Sequence, residues 1–224
     1  IKVNFELTKV SKEKRKNLII IGIVSVVAIG IVGLIIFQSI SASKNIKAFV
    51  ARNHPTAQDL TLGDPNAPVV VEVFSDFQCV ACANYWESME ESFINTYVAT
   101  NQVYYKYIPF NFIGPESNQA TRAAYCANEQ GRFWDYHDML FLNWNGENVG
   151  NFNDQRLGIF AEKIDLNSND FNSCFKSTKY NTELKQGLDY GAQFGVNSTP
   201  SFVVNGTLVN ANDLITTVDT LLGK

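Results

Sequence analysis

Cys79-Val80-Ala81-Cys82 follows directly on an apolar run, Ala67-Pro68-Val69-Val70-Val71-Glu72-Val73-Phe74. Two cysteines separated by two residues at the start of a helix bring both sulfurs onto one turn, close enough to bond. The unpaired N–H groups and partial positive charge of that helix end favour the thiolate of the first cysteine. The thiolate is the form that attacks disulfides, so thiol–disulfide exchange is the chemistry this spacing predicts. The same pair is also half of a zinc site, and the surroundings have to discriminate. Glu72, in the strand that leads to the pair, has two readings. Buried beneath the cysteines it takes the proton from Cys82; otherwise it is a solvent-facing or loosely paired carboxylate. Asp76 is expected to fix the loop before the dithiol. Tyr85 and Trp86, just after it, read as core packing rather than a substrate platform.

The elements that position these residues can be read from pattern. Residues 67–77 form a buried strand, in which four Val and Phe74 surround the charge of Glu72. A helix is expected from Val80 to Thr96. Gln102–Ile108, rich in Val, Tyr and Ile, is a second strand that ends at Pro109. Helical patterns follow over Asn118–Gln130, stopped by Gly131, then over Phe133–Asn143, Asp154–Lys163 and Asn169–Gln193. Ser201–Val204 and Thr207–Val209 flank Asn205-Gly206, a strong hairpin signal. Asn210 caps a final helix to Leu222. The order strand, helix, strand, helical block, hairpin, helix is an α/β thioredoxin topology, with a helical insertion at about 115–192 between its halves.

The chain has 224 residues, 46% apolar and 12% aromatic, enough for one sizeable core plus appendages. Its net charge of −4 is uneven. Residues 1–17 carry six basic and two acidic side chains, or +4, and the remainder carries 12 basic and 20 acidic, or −8. No basic stripe lies downstream, which sets nucleic-acid binding aside. Leu18–Phe37 is an uncharged run in which Ser25 is the only polar side chain. At about 1.5 Å per residue, some twenty residues span the ~30 Å of a bilayer core. Lys12, Lys14, Arg15 and Lys16 precede it, so the positive-inside rule puts the N-terminus in the cytoplasm and the rest outside. A cleaved signal peptide, cut near Ser39, Ser41 or Ala42, is the competing reading, but its apolar core would be unusually long. The expected organisation is a basic cytoplasmic segment (1–17), a transmembrane helix (18–38), a polar linker (39–57) and a folded domain (58–224). In the linker, Ile46, Phe49 and Val50 offer a weak apolar face for the membrane surface. All four cysteines lie beyond the apolar run, on the side where disulfides persist.

Three segments, in order, resemble the DsbA-like thioredoxin-fold oxidoreductases: Phe74-Ser-Asp-Phe-Gln-Cys-Val-Ala-Cys82, Ala123-Ala-Tyr-Cys-Ala-Asn-Glu-Gln-Gly-Arg-Phe-Trp-Asp-Tyr-His-Asp138, and Gly195-Val-Asn-Ser-Thr-Pro-Ser-Phe-Val-Val-Asn-Gly206. The resemblance runs from about Leu60 to the end. It implies that Cys79 is the exposed nucleophile, that Cys82 resolves the mixed disulfide, and that a cis-proline, Pro200, faces the dithiol with Thr199 before it. X–Pro bonds adopt cis at modest cost. Because proline lacks an N–H, the backbone groups of Thr199 are left to bind an extended substrate strand. The resemblance also implies a structural disulfide between Cys126 and Cys174. A second redox pair, free buried thiols and a four-cysteine zinc site are the alternatives for those residues. One departure matters: strongly oxidising members resemble Cys-Pro-His-Cys, whereas Val80-Ala81 can donate neither charge nor a side-chain hydrogen bond. A less stabilised thiolate predicts a couple between about −120 and −270 mV.

Two functions are compatible with these residues. One is a membrane-tethered, extracytoplasmic oxidoreductase that forms, isomerises or reduces disulfides in exported proteins. It would need no cofactor beyond the Cys79–Cys82 redox disulfide and would be reoxidised by a membrane quinone-linked partner of the DsbB or VKOR kind. The other is a thioredoxin-like accessory or assembly subunit of a larger membrane complex. His54 and His137 are the only histidines, and neither forms a nucleophile–base pair recognisable by spacing, so a hydrolase has no support. Asn197-Ser-Thr199 and Asn205-Gly-Thr207 match a glycosylation pattern but fall beside the predicted site and in a tight turn.

Overall fold

The computed structural model describes residues 17, 20–34 and 45–224. It divides into two units, Ile1–Asn45 and Ile46–Lys224. In the first, α1 (residues 20–34) is a helix whose apolar side chains, Ile29 among them, are exposed. The expected membrane segment 18–38 extends at both ends into residues outside the described ones, as do residues 1–16 of the basic segment. Among the described residues, no helix is long and apolar enough to cross a membrane.

The second unit is built on a five-stranded sheet in the order β1-β3-β2-β4-β5. β2 (Val69–Ser75) lies at its centre, parallel to β3 (Val103–Pro109) and antiparallel to β4 (Ser201–Val204). Val71 and Val73 point to one face and Phe74 to the other, as strand alternation requires. β4 turns into β5 (Thr207–Val209) through Asn205-Gly206, both at positive φ (45° and 80°), the hairpin that this dipeptide predicts. β1 (Thr61–Leu62) pairs antiparallel with β3 and is too short to leave a period in the sequence.

The helix after the cysteines begins as α2 (Val80–Tyr85) and continues through a π-helical stretch (Trp86–Glu90), α3 (Glu91–Phe93) and a second π-helical stretch (Ile94–Val98). Five helices follow β3: α4 (Pro115–Asn128), α5 (Phe133–Leu142), α6 (Asp154–Lys163), α7 (Ser168–Lys176) and α8 (Glu183–Ala192). The single helix expected over Asn169–Gln193 is in fact α7 and α8. Ser177 leaves the helical region (φ −78°, ψ 167°), and its hydroxyl donates to the Cys174 carbonyl at 2.6 Å, competing with the backbone ladder. α8 packs so closely on β3 that a Cβ at Gly187 would lie 1.8 Å from the Pro109 carbonyl oxygen. Asn210 caps a 3-10 turn (Ala211–Asp213) that leads into α9 (Leu214–Leu221).

Residues 46–57 are not a free linker. Ile46 and Phe49 pack against the domain core rather than presenting a membrane face; only Val50 stays exposed. The Lys47 N–H donates to Asn143 Oδ1 at 2.8 Å. The Arg52 guanidinium sits 3.8 Å from the centre of the Trp86 ring and donates to the Trp86 carbonyl. The domain thus includes a strap that begins at residue 46.

Candidate active site

β2 delivers the chain to a turn held by Asp76, which is fully buried. One carboxylate oxygen accepts the Gln78 N–H at 2.8 Å; the other accepts the N–H groups of Phe112 and Ile113 at 2.9 and 3.1 Å. Burial pushes this carboxyl above its ordinary range, against the pull of those bonds and of Ser117. Gln78, also fully buried, closes the turn on a second loop. Its Nε2 donates to Ser117 Oγ and Asn148 Oδ1, its Oε1 accepts the Asn148 N–H at 2.6 Å, and its carbonyl accepts Trp144 Nε1 at 2.7 Å. Sequence reading missed Gln78, because a lone amide between Phe77 and Cys79 has no spacing signature.

Cys79 occupies the N-cap of α2 (φ −68°, ψ 124°), and its carbonyl accepts the Ala83 N–H. Cys79, expected as the exposed nucleophile, is buried at 8% exposure because it packs into the core beside the Thr199–Pro200 segment, while Cys82 one turn on is 1% exposed. The Cys79 thiol donates to the Thr199 carbonyl at 3.3 Å, and the Thr199–Pro200 bond is cis. The two thiols differ strongly. A hydrogen bond from Cys82 is the main cause that lowers the Cys79 thiol to about 6. The Thr199 hydroxyl and the N–H groups of Cys82 and Ala81 assist, and burial opposes. Burial, then the neighbouring Cys79 sulfur, pushes Cys82 well up. The site therefore pairs a first thiol that ionises readily with a more deeply buried second one that keeps its proton, the pair that nucleophilic exchange needs.

Glu72 does not serve Cys82. Strand alternation puts it on the Phe74 side of β2, opposite Ser75, which lies against Cys82. Its carboxylate accepts from Tyr190 Oη at 3.0 and 3.1 Å and pairs with Lys106 Nζ at 3.3 Å. Tyr85 and Trp86 are both buried in the core. Cys126 on α4 and Cys174 on α7 are joined by a disulfide, with Cα atoms 5.7 Å apart.

The two histidines, 83 positions apart, converge on one buried carboxylate. His54 Nε2 lies 3.0 Å from Asp138 Oδ2 and His137 Nδ1 3.1 Å from Oδ1, while Trp86 Nε1 donates to Oδ1 at 2.8 Å. Burial opposes ionisation of Asp138, yet these partners hold it below the usual carboxylate range. Ligand atoms of Glu90, His137 and Asp138 come within 4.8 Å of one another. They are, however, already engaged by Tyr105, Trp86 and His54, so they read as a satisfied polar network that ties the strap to the helix behind the dithiol. The sulfurs near Glu129 are consumed in the disulfide.

A family model described as Thioredoxin matches residues 55–224. The chain is 28% identical over 207 residues to a probable disulfide bond formation protein D of Bacillus cereus, a match covering 88% of this chain and 92% of that protein. It is also 28% identical over 149 residues to the Na(+)/H(+) antiporter NhaA 3 of Salinispora tropica. That match covers 66% of this chain but only 22% of the antiporter, so the chain spans about a fifth of that relative's length. Among solved structures, oxidised BdbD from Bacillus subtilis superposes with a TM-score of 0.68 at 18% identity, covering 80% of this chain and 100% of that one. By the match over residues 55–224, the chain belongs to the thioredoxin family, and its fold is of the DsbA-like kind.

Proposed function

We propose that the chain is a thiol–disulfide oxidoreductase that exchanges disulfides with cysteine-containing exported proteins. The observation that carries this reading is the asymmetry of the dithiol: Cys79 lowered to about 6 at a helix N-cap, and Cys82 buried and raised behind it. In the oxidising direction a substrate thiolate attacks Cys79 of the Cys79–Cys82 disulfide. A bond forms from substrate sulfur to Cys79, and the electron pair leaves on Cys82. A second substrate thiolate then attacks the mixed disulfide, releasing oxidised substrate and the reduced dithiol. Thr199 and Pro200 line the site beside Cys79, where the Thr199 backbone can pair with the incoming strand. Reducing chemistry runs the same steps backwards.

The apolar run at 18–38, preceded by basic residues, supports a single-pass anchor with the N-terminus in the cytoplasm and the dithiol domain outside. The Cys126–Cys174 bond supports an oxidising compartment. A quinone-linked membrane reoxidase of the DsbB or VKOR kind would regenerate the disulfide. The test is catalysis of disulfide formation in a reduced, unfolded protein by the full chain in detergent, with oxidised glutathione added to take up the electrons. Wild type is expected to turn over, Cys79→Ser to be inert, and Cys82→Ser to trap a substrate-linked species. A wild-type dithiol that does not cycle overturns the proposal.

A second reading draws on the antiporter relative, of which this chain matches one domain's length. In that reading the domain is an accessory module of a membrane transporter. It predicts a defined complex on detergent extraction that survives Cys79→Ser.

A further inference from the structure

We propose that Gln78 is a positioning residue that holds Val149 beside the dithiol turn as a contact for the substrate polypeptide, so that the site tells a protein thiol from a small one. The inference rests on the oxidoreductase reading above. Gln78 directly precedes Cys79 and is fully buried. Burying a primary amide is costly unless its donors and acceptor are bonded. Here they are bonded to other segments of the chain. Nε2 donates to Ser117 Oγ on α4 at 2.9 Å and to Asn148 Oδ1, 70 positions along the chain, at 3.2 Å. Oε1 accepts the Asn148 N–H at 2.6 Å, and the Gln78 carbonyl accepts Trp144 Nε1 at 2.7 Å. An apolar side chain could fill the same space; the amide adds a fixed placement of the loop it binds.

That loop is anchored again just beyond Asn148. The two carboxylate oxygens of Glu116 accept the Gly150 and Phe152 N–H groups at 2.7 and 2.8 Å. Its backbone takes positive φ at Gly146, Asn148 and Gly150 (126°, 52° and 81°). The approach to the turn is close: a Cβ at Gly114 would lie 2.2 Å from Asn148 Oδ1. Between the two anchors stands Val149, 59% exposed. Hydrogen bonds on either side thus hold an aliphatic side chain out into water. Two more exposed apolar side chains belong to the same turn. Val80 follows Cys79, and Phe112 has its N–H bound by Asp76 at 2.9 Å.

The chemistry of exchange names the occupant. A mixed disulfide ties the substrate to the Cys79 sulfur, so the residues that flank the substrate cysteine come to the turn on which Gln78 carries the loop. An unfolded protein brings apolar side chains on both sides of its cysteine; glutathione brings none. Covering Val149 removes apolar surface from water, a gain open only to the protein. Because Gln78 and Glu116 fix the loop beforehand, little ordering opposes that gain. Releasing the Gln78 side frees the loop and forfeits the contact.

The experiment uses the oxidised full chain in detergent and compares two thiols, a reduced unfolded protein and reduced glutathione. In both cases one substrate thiolate attacks Cys79 and a second completes the exchange, so the substrate is oxidised and the chain's dithiol reduced. Each second-order rate is read by acid quench and alkylation. Val149→Ser is expected to lower the ratio of protein rate to glutathione rate about fivefold, the worth of partly burying one Val, and Val149→Leu to keep it. Gln78→Leu should lower the ratio similarly, and the double variant no further, since both changes remove one contact. Asn148→Gly, which keeps the loop backbone and loses the side-chain bond to Gln78, serves where Gln78→Leu does not fold. An unchanged ratio in Val149→Ser overturns the proposal. Equal slowing of both thiols by Gln78→Leu also overturns it, because that marks a role in building the turn, as does an additive double variant. Should wild type be reduced by neither thiol, the oxidoreductase reading itself falls; should wild type react with both and the variants keep its ratio, only the role of Gln78 and Val149 falls.

Discussion

Replacing Cys82 by Ala removes the largest cause of the lowered Cys79 thiol. The Thr199 hydroxyl and the two backbone N–H groups remain, so the thiol rises from about 6 by roughly one unit rather than returning to the ordinary ~8.5. Two effects then oppose each other. The thiolate fraction falls about ninefold at pH 5, while each remaining thiolate becomes about threefold more nucleophilic, given a Brønsted slope of ~0.4–0.5. Below pH 6 the first effect wins, and the variant reacts about threefold slower at pH 5. Above pH 8 both proteins are fully ionised and the variant reacts about threefold faster. The two curves cross near pH ~6.5, where the opposing factors are equal. The assay is the iodoacetamide rate of the reduced chain from pH 4 to 9, with Cys82→Ser as a control that keeps a hydrogen-bond donor. A wild-type midpoint near 8.5 refutes the reasoning at its root. Superimposable wild-type and Cys82→Ala curves refute the assignment to Cys82 and leave the lowering to Thr199 and the helix end.

Asp76→Asn places an amide NH2 against backbone N–H donors, and should cost about 1–3 kcal/mol in urea unfolding at pH 7. Because the Asp76 carboxyl is raised in the folded state, its contribution is present below its unfolded pKa of ~3.9 and is lost as pH climbs through the raised value; the variant should lack that slope. Opening the Cys126–Cys174 disulfide, which spans 48 positions, should lower stability by about 2–4 kcal/mol and leave the Cys79 alkylation midpoint unchanged; a shifted midpoint would mean that the bond also tunes the dithiol. His54→Ala strips one partner from Asp138 while Trp86 and His137 stay, at about 1–3 kcal/mol near neutral pH. Asp138 is held low in the fold, so its stabilisation fades as pH falls and the deficit should shrink in acid.

The sequence disclosed the parts whose logic is local. The dithiol at a helix start, the Val-rich central strand and the Asn205-Gly206 hairpin each follow from spacing or backbone preference within a few residues. What it hid depends on contacts between distant segments. The sequence left Glu72 open between a proton acceptor for Cys82 and a paired carboxylate, because the neighbours that decide it, Tyr190 and Lys106, come from α8 and β3. His54 and His137 formed no recognisable pair because their meeting point, Asp138, requires the strap to fold back over 83 residues of chain. The break at Ser177 was likewise invisible, since a serine ends a helix only where its hydroxyl finds a carbonyl in place of solvent.

Val80-Ala81 had suggested a poorly stabilised thiolate, yet the Cys79 thiol is lowered to about 6 by its surroundings, above all Cys82. How far this moves the redox couple can be bounded. At pH 7, lowering a thiol from ~8.5 to ~6 favours the reduced form by about 1.4 kcal/mol, or about 30 mV for two electrons. The couples of thioredoxin and DsbA lie about 150 mV apart, so the Cys79 thiolate supplies only about a fifth of that interval. The rest would have to come from how the oxidised and reduced forms pack around the sulfurs. The thiolate contribution has its own signature in the pH dependence of the potential. Below the Cys79 midpoint, two protons accompany two electrons and the potential falls by about 59 mV per pH unit; above it, one proton does and the slope halves to about 30 mV. Because Cys82 stays protonated far higher, the shallow limb should extend from about pH 6 through pH 8. A glutathione titration of the full chain at half-unit intervals measures this directly. A single slope near 59 mV across that range would mean that Cys79 is protonated at neutral pH, and that the attacking thiolate is a minor species rather than the resting one.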